Sequence, residues 1–147
     1  MTTSKALTLS ESAHRGQKYG DRDYFSYHVC GVVKNTESFL DHVEDYEEKQ
    51  KYICVAYLHD VVEDTNFTIK DLSKHFDTDV IEAVDAITKP YNEKRYDYLR
   101  RVRKNKYAKT VKMADIVFNL SNCLMENNIS RANYYSKQLK FMTEEEK

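Results

Sequence analysis

Four residues, Gly16, Gly20, Gly31 and Pro90, are all the glycine and proline in 147 positions. Hairpins need such residues at fixed places in their turns, and segments that alternate apolar with polar residues are scarce as well. A chain so poor in turn material is predicted to be all-α. The length suits one domain over 1–147, large enough to bury roughly two-thirds of the surface its unfolded form exposes.

Residues 3–18 place Ala6, Leu7, Leu9 and Ala13 near helical spacing and end in "GQKYGDRD", which reads as a loop. A second helix begins near Phe25 and carries His28, Val32 and Val33. The polar stretch "KNTESFLDHVEDYEEKQK" is predicted to open a helix that turns apolar at "YICVAYLHDVVED". Thr68, with Asp71 three residues on, has the form of a capping box; Asp77 or Thr78 can cap "DVIEAVDAIT", which stops before Pro90. "EKRYDYLRRVRKN" and "KYAKTVKMADIVFNLSNCL" read as a helix pair, and "SRANYYSKQLKFM" as a last helix before a frayed acidic tail at 143–147. About seven helices in one bundle is the expectation.

Within that frame "YLHDVVEDT" stands out, because an apolar run ends in His59, Asp60, Glu63 and Asp64. On a helix, His59 and Glu63 share a face, as do Asp60 and Asp64. His59 and Asp60 diverge by about 100°, so one ion reaches both only near a helix end or groove. An unpaired buried carboxylate costs several kcal/mol in a domain whose whole stability is about 5–15 kcal/mol. A cation is the simplest compensation. Further ligands must come from elsewhere, and His28 in "YFSYHVCGVV" and Asp115 in "VKMADIVFNL" are the candidates, each set in apolar sequence. The competing readings are a solvated His-Asp pair at a helix end and Asp115 as an N-cap. Agreement among three separated segments favours the metal. Two histidines and two aspartates suit Mn²⁺, Fe²⁺ or Co²⁺; Zn²⁺ more often takes tighter tetrahedral N/S sites.

Charge and cysteine usage narrow the classes. Lys plus Arg number 23 against 24 Asp plus Glu, a net charge of −1, so no basic field argues for a nucleic-acid partner. Cys30, Cys54 and Cys123 are far apart and odd in number, and read as buried free thiols in a reducing cytoplasm. No leader-like start or apolar run of about 20 residues points to a membrane. The sequence favours no particular oligomeric state.

In order along residues 5–125, "AHRGQKYG", "YFSYH", "YLHDVVEDT", "AITK", "YLRRV" and "VKMADIVFNL" resemble the motifs of the HD-domain phosphohydrolases nearest to the RelA/SpoT and small alarmone hydrolases. The resemblance implies an all-α domain that binds one Mn²⁺ and removes pyrophosphate from the ribose 3′ position of (p)ppGpp. It implies His28, His59, Asp60 and Asp115 as metal ligands. Glu63 and Asp64 are implied as the acidic pair that activates or orients the attacking water, and Asn119 as a contact to the sugar. The chain departs from the family in reading Gln17-Lys18-Tyr19 where Gln-x-Arg is usual, and in carrying Ile116 and Phe118 after Asp115. These departures bear on the base of the nucleotide, because tyrosine can stack on a base and lacks the guanidinium's fork of donors.

Lys18, Tyr19, Lys112 and Arg131 are the further substrate-binding candidates, with Tyr27, Lys137 and Lys140 as weaker ones against the ordinary reading of solvated helix faces. His14 is expected to support the site, and His42 and His75 to be exposed. The leading expectation is thus a metal-dependent phosphohydrolase acting on a phosphorylated nucleotide. The alternatives are a nucleotidase releasing orthophosphate from nucleoside monophosphates, a non-catalytic metal-containing nucleotide-binding module, and a helical interaction protein with vestigial motifs.

Overall fold

The computed structural model describes residues 2–144. Nine α-helical segments account for most of them: α1 (Thr2–Ala13), α2 (Cys30–Ser38), α3 (Tyr46–Leu58), α4 (Val61–Asp64), α5 (Ile69–Ser73), α6 (Thr78–Ile87), α7 (Arg95–Val102), α8 (Lys106–Met125) and α9 (Ile129–Thr143). The all-α expectation holds, with more and shorter segments than expected. Of the acidic tail, Thr143 closes α9 and Glu144 caps it, while residues 145–147 lie outside the described residues.

Local chemistry sets most helix starts. Asp45 accepts hydrogen bonds from the backbone N–H of Glu47 (2.8 Å) and Glu48 (3.3 Å) at the start of α3. Thr68 and Asp71 form both bonds of the expected capping box on α5. Asn105 and Asn128 cap α8 and α9 through their side-chain oxygens. Asp77 precedes α6 and makes no side-chain capping bond.

Three stretches differ from the sequence reading. "GQKYGDRD" is more than a loop: Lys18–Tyr19 (β1) pairs antiparallel with Arg22–Asp23 (β2), turning at Gly20, whose φ of +62° suits glycine. The polar stretch after α2 is not continuous helix. It breaks at residues 39–45, where Leu40 tucks into the core (3% exposed) and Asp45 restarts the chain. The third break lies inside "YLHDVVED", where α3 stops at Leu58 and α4 starts at Val61.

The second helix opens with a π-helical turn, Tyr24–Val29, before α2. Such turns are rare and often mark functional positions. Asp23 caps this one, accepting from Ser26 N–H at 3.0 Å.

The core joins α3, α6, α7 and α8, with Val55, Leu58, Val84, Leu99, Val102 and Val111 almost fully buried. The three cysteines are free thiols; Cys54 and Cys123 are buried and Cys30 is half-buried. No described helix is long and apolar enough to cross a membrane.

Helices α2 and α8 approach closely because Gly31 faces the ring of Phe118, and a Cβ at position 31 would be driven into that ring. Phe118 in turn packs edge-on against His28, with centroids 4.8 Å apart. Gly31→Ala gains about 1 kcal/mol of helix propensity but incurs roughly 1–3 kcal/mol of overpacking. Thermal denaturation is therefore expected to show a net loss of up to about 2 kcal/mol. An unchanged melting temperature would mean that the ring yields freely.

Candidate metal centre

Three separate parts of the fold converge on one point: the π turn supplies His28, the α3–α4 break supplies His59 and Asp60, and the middle of α8 supplies Asp115. One ligand-type atom from each of the four lies within 4.8 Å of the others. His28 Nε2 is 3.0 Å from Asp115 Oδ1 and 3.5 Å from Asp60 Oδ2. His59 Nε2 is 2.9 Å from Asp60 Oδ2 and 3.6 Å from Asp115 Oδ1. Asp115 is interior to a twenty-residue helix and buried, so it is not an N-cap.

The helix break explains how neighbours in sequence reach one point. Asp60 leaves the helical region (φ −110°, ψ 1°) and stands at the N-cap of α4 without a capping bond from its side chain. Its carboxylate turns into the cluster instead, where the Tyr24 hydroxyl donates to Oδ2.

The donor set fits a divalent ion. His59 Nδ1 lies 2.7 Å from the carbonyl oxygen of Ala56, a bond that needs the proton on Nδ1 and leaves the Nε2 lone pair directed at the aspartates. Buried Nε2 itself has no hydrogen-bond partner among the described residues. The carboxylates demand positive charge. Burial opposes the imidazolium of His28 and His59, yet Asp60 and Asp115 outweigh it and raise both pKa values, that of His59 strongly. Burial likewise opposes ionised Asp60 and Asp115, but the histidines, with Lys112 beside Asp115, hold both below the usual carboxylate range. Lys112 Nζ donates to Asp115 Oδ2 at 2.9 Å, and this partner keeps the buried ammonium charged. The cluster can therefore hold a metal ion in place of protons.

Around the cluster opens a cleft of about 410 Å³, lined also by Tyr19, Tyr24, Glu63, Asp64, Arg95, Lys112, Ile116, Asn119, Arg131, Tyr134, Tyr135 and Gln138. Glu63 and Asp64 are open to solvent, but the surrounding protein desolvates them enough to raise both carboxyl pKa values. Glu63 Oε1 accepts from the Lys89 backbone N–H at 2.8 Å. Asp64 Oδ2 accepts from Gln17 Nε2 at 3.1 Å, and Gln17 Oε1 lies 2.8 Å from Nδ1 of buried His14. The supporting place expected for His14 is realised through this chain.

The remaining candidates divide. Tyr19 lines the cleft, stacks on His28 (5.1 Å between centroids) and donates to Asn119 Oδ1 at 2.7 Å. Asn119 lies one helical turn beyond Asp115. Arg131 lines the cleft with its guanidinium 4.4 Å from the Tyr134 ring centroid. Lys18 does not line it; strand alternation turns Lys18 outward where it turns Tyr19 inward. Lys137 and Lys140 are exposed and away from the cleft lining. Tyr27 lies behind the cleft, against Phe118. Of the two departures after Asp115, Ile116 faces the cleft and Phe118 packs behind His28. His42 and His75 are exposed as expected.

Tyr24, Arg95, Tyr134, Tyr135 and Gln138 were not anticipated as lining residues. The signal for the last three was present in the sequence: with Arg131 they repeat at i, i+3, i+4 and i+7, one helical face.

No family model matches the chain. The guanosine-3′,5′-bis(diphosphate) 3′-pyrophosphohydrolase MESH1 of Xenopus tropicalis is 30% identical over 123 residues, covering 79% of this chain and 66% of that protein. The MESH1 protein of Danio rerio is 29% identical over 126 residues, with the same two coverages of 79% and 66%. A guanosine-3′,5′-bis(diphosphate) 3′-pyrophosphohydrolase of Borreliella burgdorferi is 30% identical over 108 residues, 73% of this chain but 14% of that protein. This chain is similar to those 3′-pyrophosphohydrolases over most of its own length. It spans just under two-thirds of the animal proteins' length and a small part of the bacterial one's. The solved structure titled "A metazoan ortholog of SpoT hydrolyzes ppGpp and plays a role in starvation responses" superposes with a TM-score of 0.76 at 23% identity, over 96% of this chain and 84% of that one. The helical fold is thereby shared.

A divalent ion present at one hundred times its dissociation constant is expected to stabilise the fold by about 2.7 kcal/mol. Calorimetry with and without Mn²⁺ checks this, and Asp60→Ala should abolish the upward shift in melting temperature.

Proposed function

We propose that the chain is a Mn²⁺-dependent phosphohydrolase that removes pyrophosphate from the 3′ position of (p)ppGpp or a closely related phosphorylated nucleotide in the cytoplasm. One observation carries the reading: a four-residue metal-ligand cluster shares its cleft with two carboxyls of raised pKa and three cations, Arg95, Lys112 and Arg131. The relatives, named as 3′-pyrophosphohydrolases, supply the substrate class. One contiguous core beneath the site supports treating residues 1–147 as one HD-type unit.

In this reading His28, His59, Asp60 and Asp115 hold the ion. A bound divalent cation polarises phosphoryl oxygens and lowers the pKa of water. The protein's own groups do the rest. Tyr24 orients Asp60 through its hydroxyl, and Ala56 fixes the His59 tautomer. Glu63, held by the Lys89 N–H, and Asp64, held by Gln17, flank the attacking water, one accepting its proton while the other orients it; burial raises both pKa values and so makes either a better base than an ordinary carboxylate. Arg95 and Arg131 neutralise phosphate charge at the cleft wall, and Asn119 with Tyr19 borders the sugar.

The purified protein with Mn²⁺ is expected to release pyrophosphate from ppGpp, and Asp60→Ala to abolish release. Orthophosphate as the product would assign a nucleotidase, and inactivity on a nucleotide panel despite bound metal would sink the enzymatic reading.

The pH profile tests the acidic pair. A protonated carboxyl cannot accept a proton, so activity should fall as pH drops through the pKa values of the pair. Gln17→Leu removes a hydrogen bond that favours ionised Asp64, and should move the acid limb of kcat to still higher pH. An unmoved limb would assign the proton to Glu63 alone.

A further inference from the structure

Helix α9 presents Arg131, Tyr134, Tyr135 and Gln138 to the cleft as one face. Exposure falls along it: Arg131 is open, the two tyrosines are half-buried, and Gln138 is 1% exposed. The Arg131 guanidinium lies over both rings, 4.4 Å and 5.3 Å from their centroids. The face thus grades from cation to aromatic surface to amide. Ile116, also 1% exposed, lines the same cleft.

Gln138 is out of place by ordinary packing logic. Its Nε2 is buried and has no hydrogen-bond partner among the described residues. An unmet buried amide donor destabilises a fold, and a leucine or methionine of similar volume would avoid that cost. A polar group kept at a cleft floor without a protein partner points to a partner that arrives with the ligand. The cations already present serve phosphate better than a neutral amide does. A primary amide, with donor and acceptor side by side, matches instead the polar edge of a planar base, and the neighbouring tyrosine rings suit its faces.

We propose that Gln138 is a specificity-determining residue that hydrogen-bonds the nucleobase edge of the substrate, with Tyr134, Tyr135 and Ile116 as the walls of the base pocket. This rests on the nucleotide reading of the cleft, and it does not require the substrate to be ppGpp. A site built to hydrogen-bond a base discriminates because the wrong base leaves the amide unmet.

The test is calorimetric binding to the Mn²⁺-loaded protein of ppGpp, ppApp and the four common nucleoside triphosphates, with inorganic pyrophosphate as a probe that has no base. Gln138→Leu is expected to weaken the tightest-binding nucleotide about 10- to 100-fold. Pyrophosphate binding should be unchanged, and the melting temperature of the ligand-free protein should rise by several degrees. Gln138→Met, closer in length, keeps the comparison readable if the leucine variant folds poorly. Equal losses for nucleotide and pyrophosphate would move the contact to the phosphates and overturn the proposal. Unchanged nucleotide affinity would reduce Gln138 to a buried amide without function, and failure of every nucleotide to bind the wild type would also overturn it. The two readings fail separately: if ppGpp is not cleaved but another nucleotide binds with the predicted loss, the proposed reaction falls and the base contact stands.

Discussion

Two carboxylates, the buried Asp115 and the largely enclosed Asp60, govern the architecture of the site. Each unpaired would cost several kcal/mol against a total stability of about 5–15 kcal/mol, so the surrounding elements must deliver positive charge to one small volume. His28, His59 and Lys112 do so from three parts of the chain, and Tyr24 adds a hydroxyl donor. The π turn, the α3–α4 break and the length of α8 follow as ways of bringing those groups within reach. The glycine at position 31 belongs to the same solution, since it lets α8 come close enough for Phe118 to brace His28.

Much of this could be read from the sequence. The lack of turn residues foretold the helices, and Asp115 inside an apolar helical stripe foretold a buried acid. The ligand types could be paired up because charge within an apolar run has few explanations. What the sequence hid was conformational. His59 and Asp60 diverge on a continuous helix, and only the departure of Asp60 from helical geometry lets both face one point. The two-residue hairpin was equally hidden, because so short a pairing carries no alternation to detect. It decides that Tyr19 faces the cleft and Lys18 does not. On α9 the sequence pointed to Arg131 alone of the residues that line the cleft; Tyr134, Tyr135 and Gln138 share its helical face, but their polarity masked the period.

The departures from the family pattern fall in physically different places. Phe118 packs behind His28 and Tyr19 and does not itself line the cleft, whereas Tyr19 and Ile116 do. Tyr19 is committed on both sides, stacked on His28 and bonded to Asn119. In the proposed reading, the groups that would cleave the bond and those that would border the sugar and the base sit on separate surfaces. The first would lie on the π turn, the α3–α4 break, α4 and Asp115 of α8, and the second on the hairpin, α9, Ile116 and Asn119.

The short helix α4 unites two roles in four residues. A helix of that length cannot sustain itself, because the cost of nucleation exceeds what its few bonds return. Its N-cap residue gives its carboxylate to the cluster rather than to the helix's own amides. The segment bearing Glu63 and Asp64 is therefore tethered to its leading end through Asp60. A cation held in the cluster would therefore also anchor the start of the segment that carries the two carboxyls.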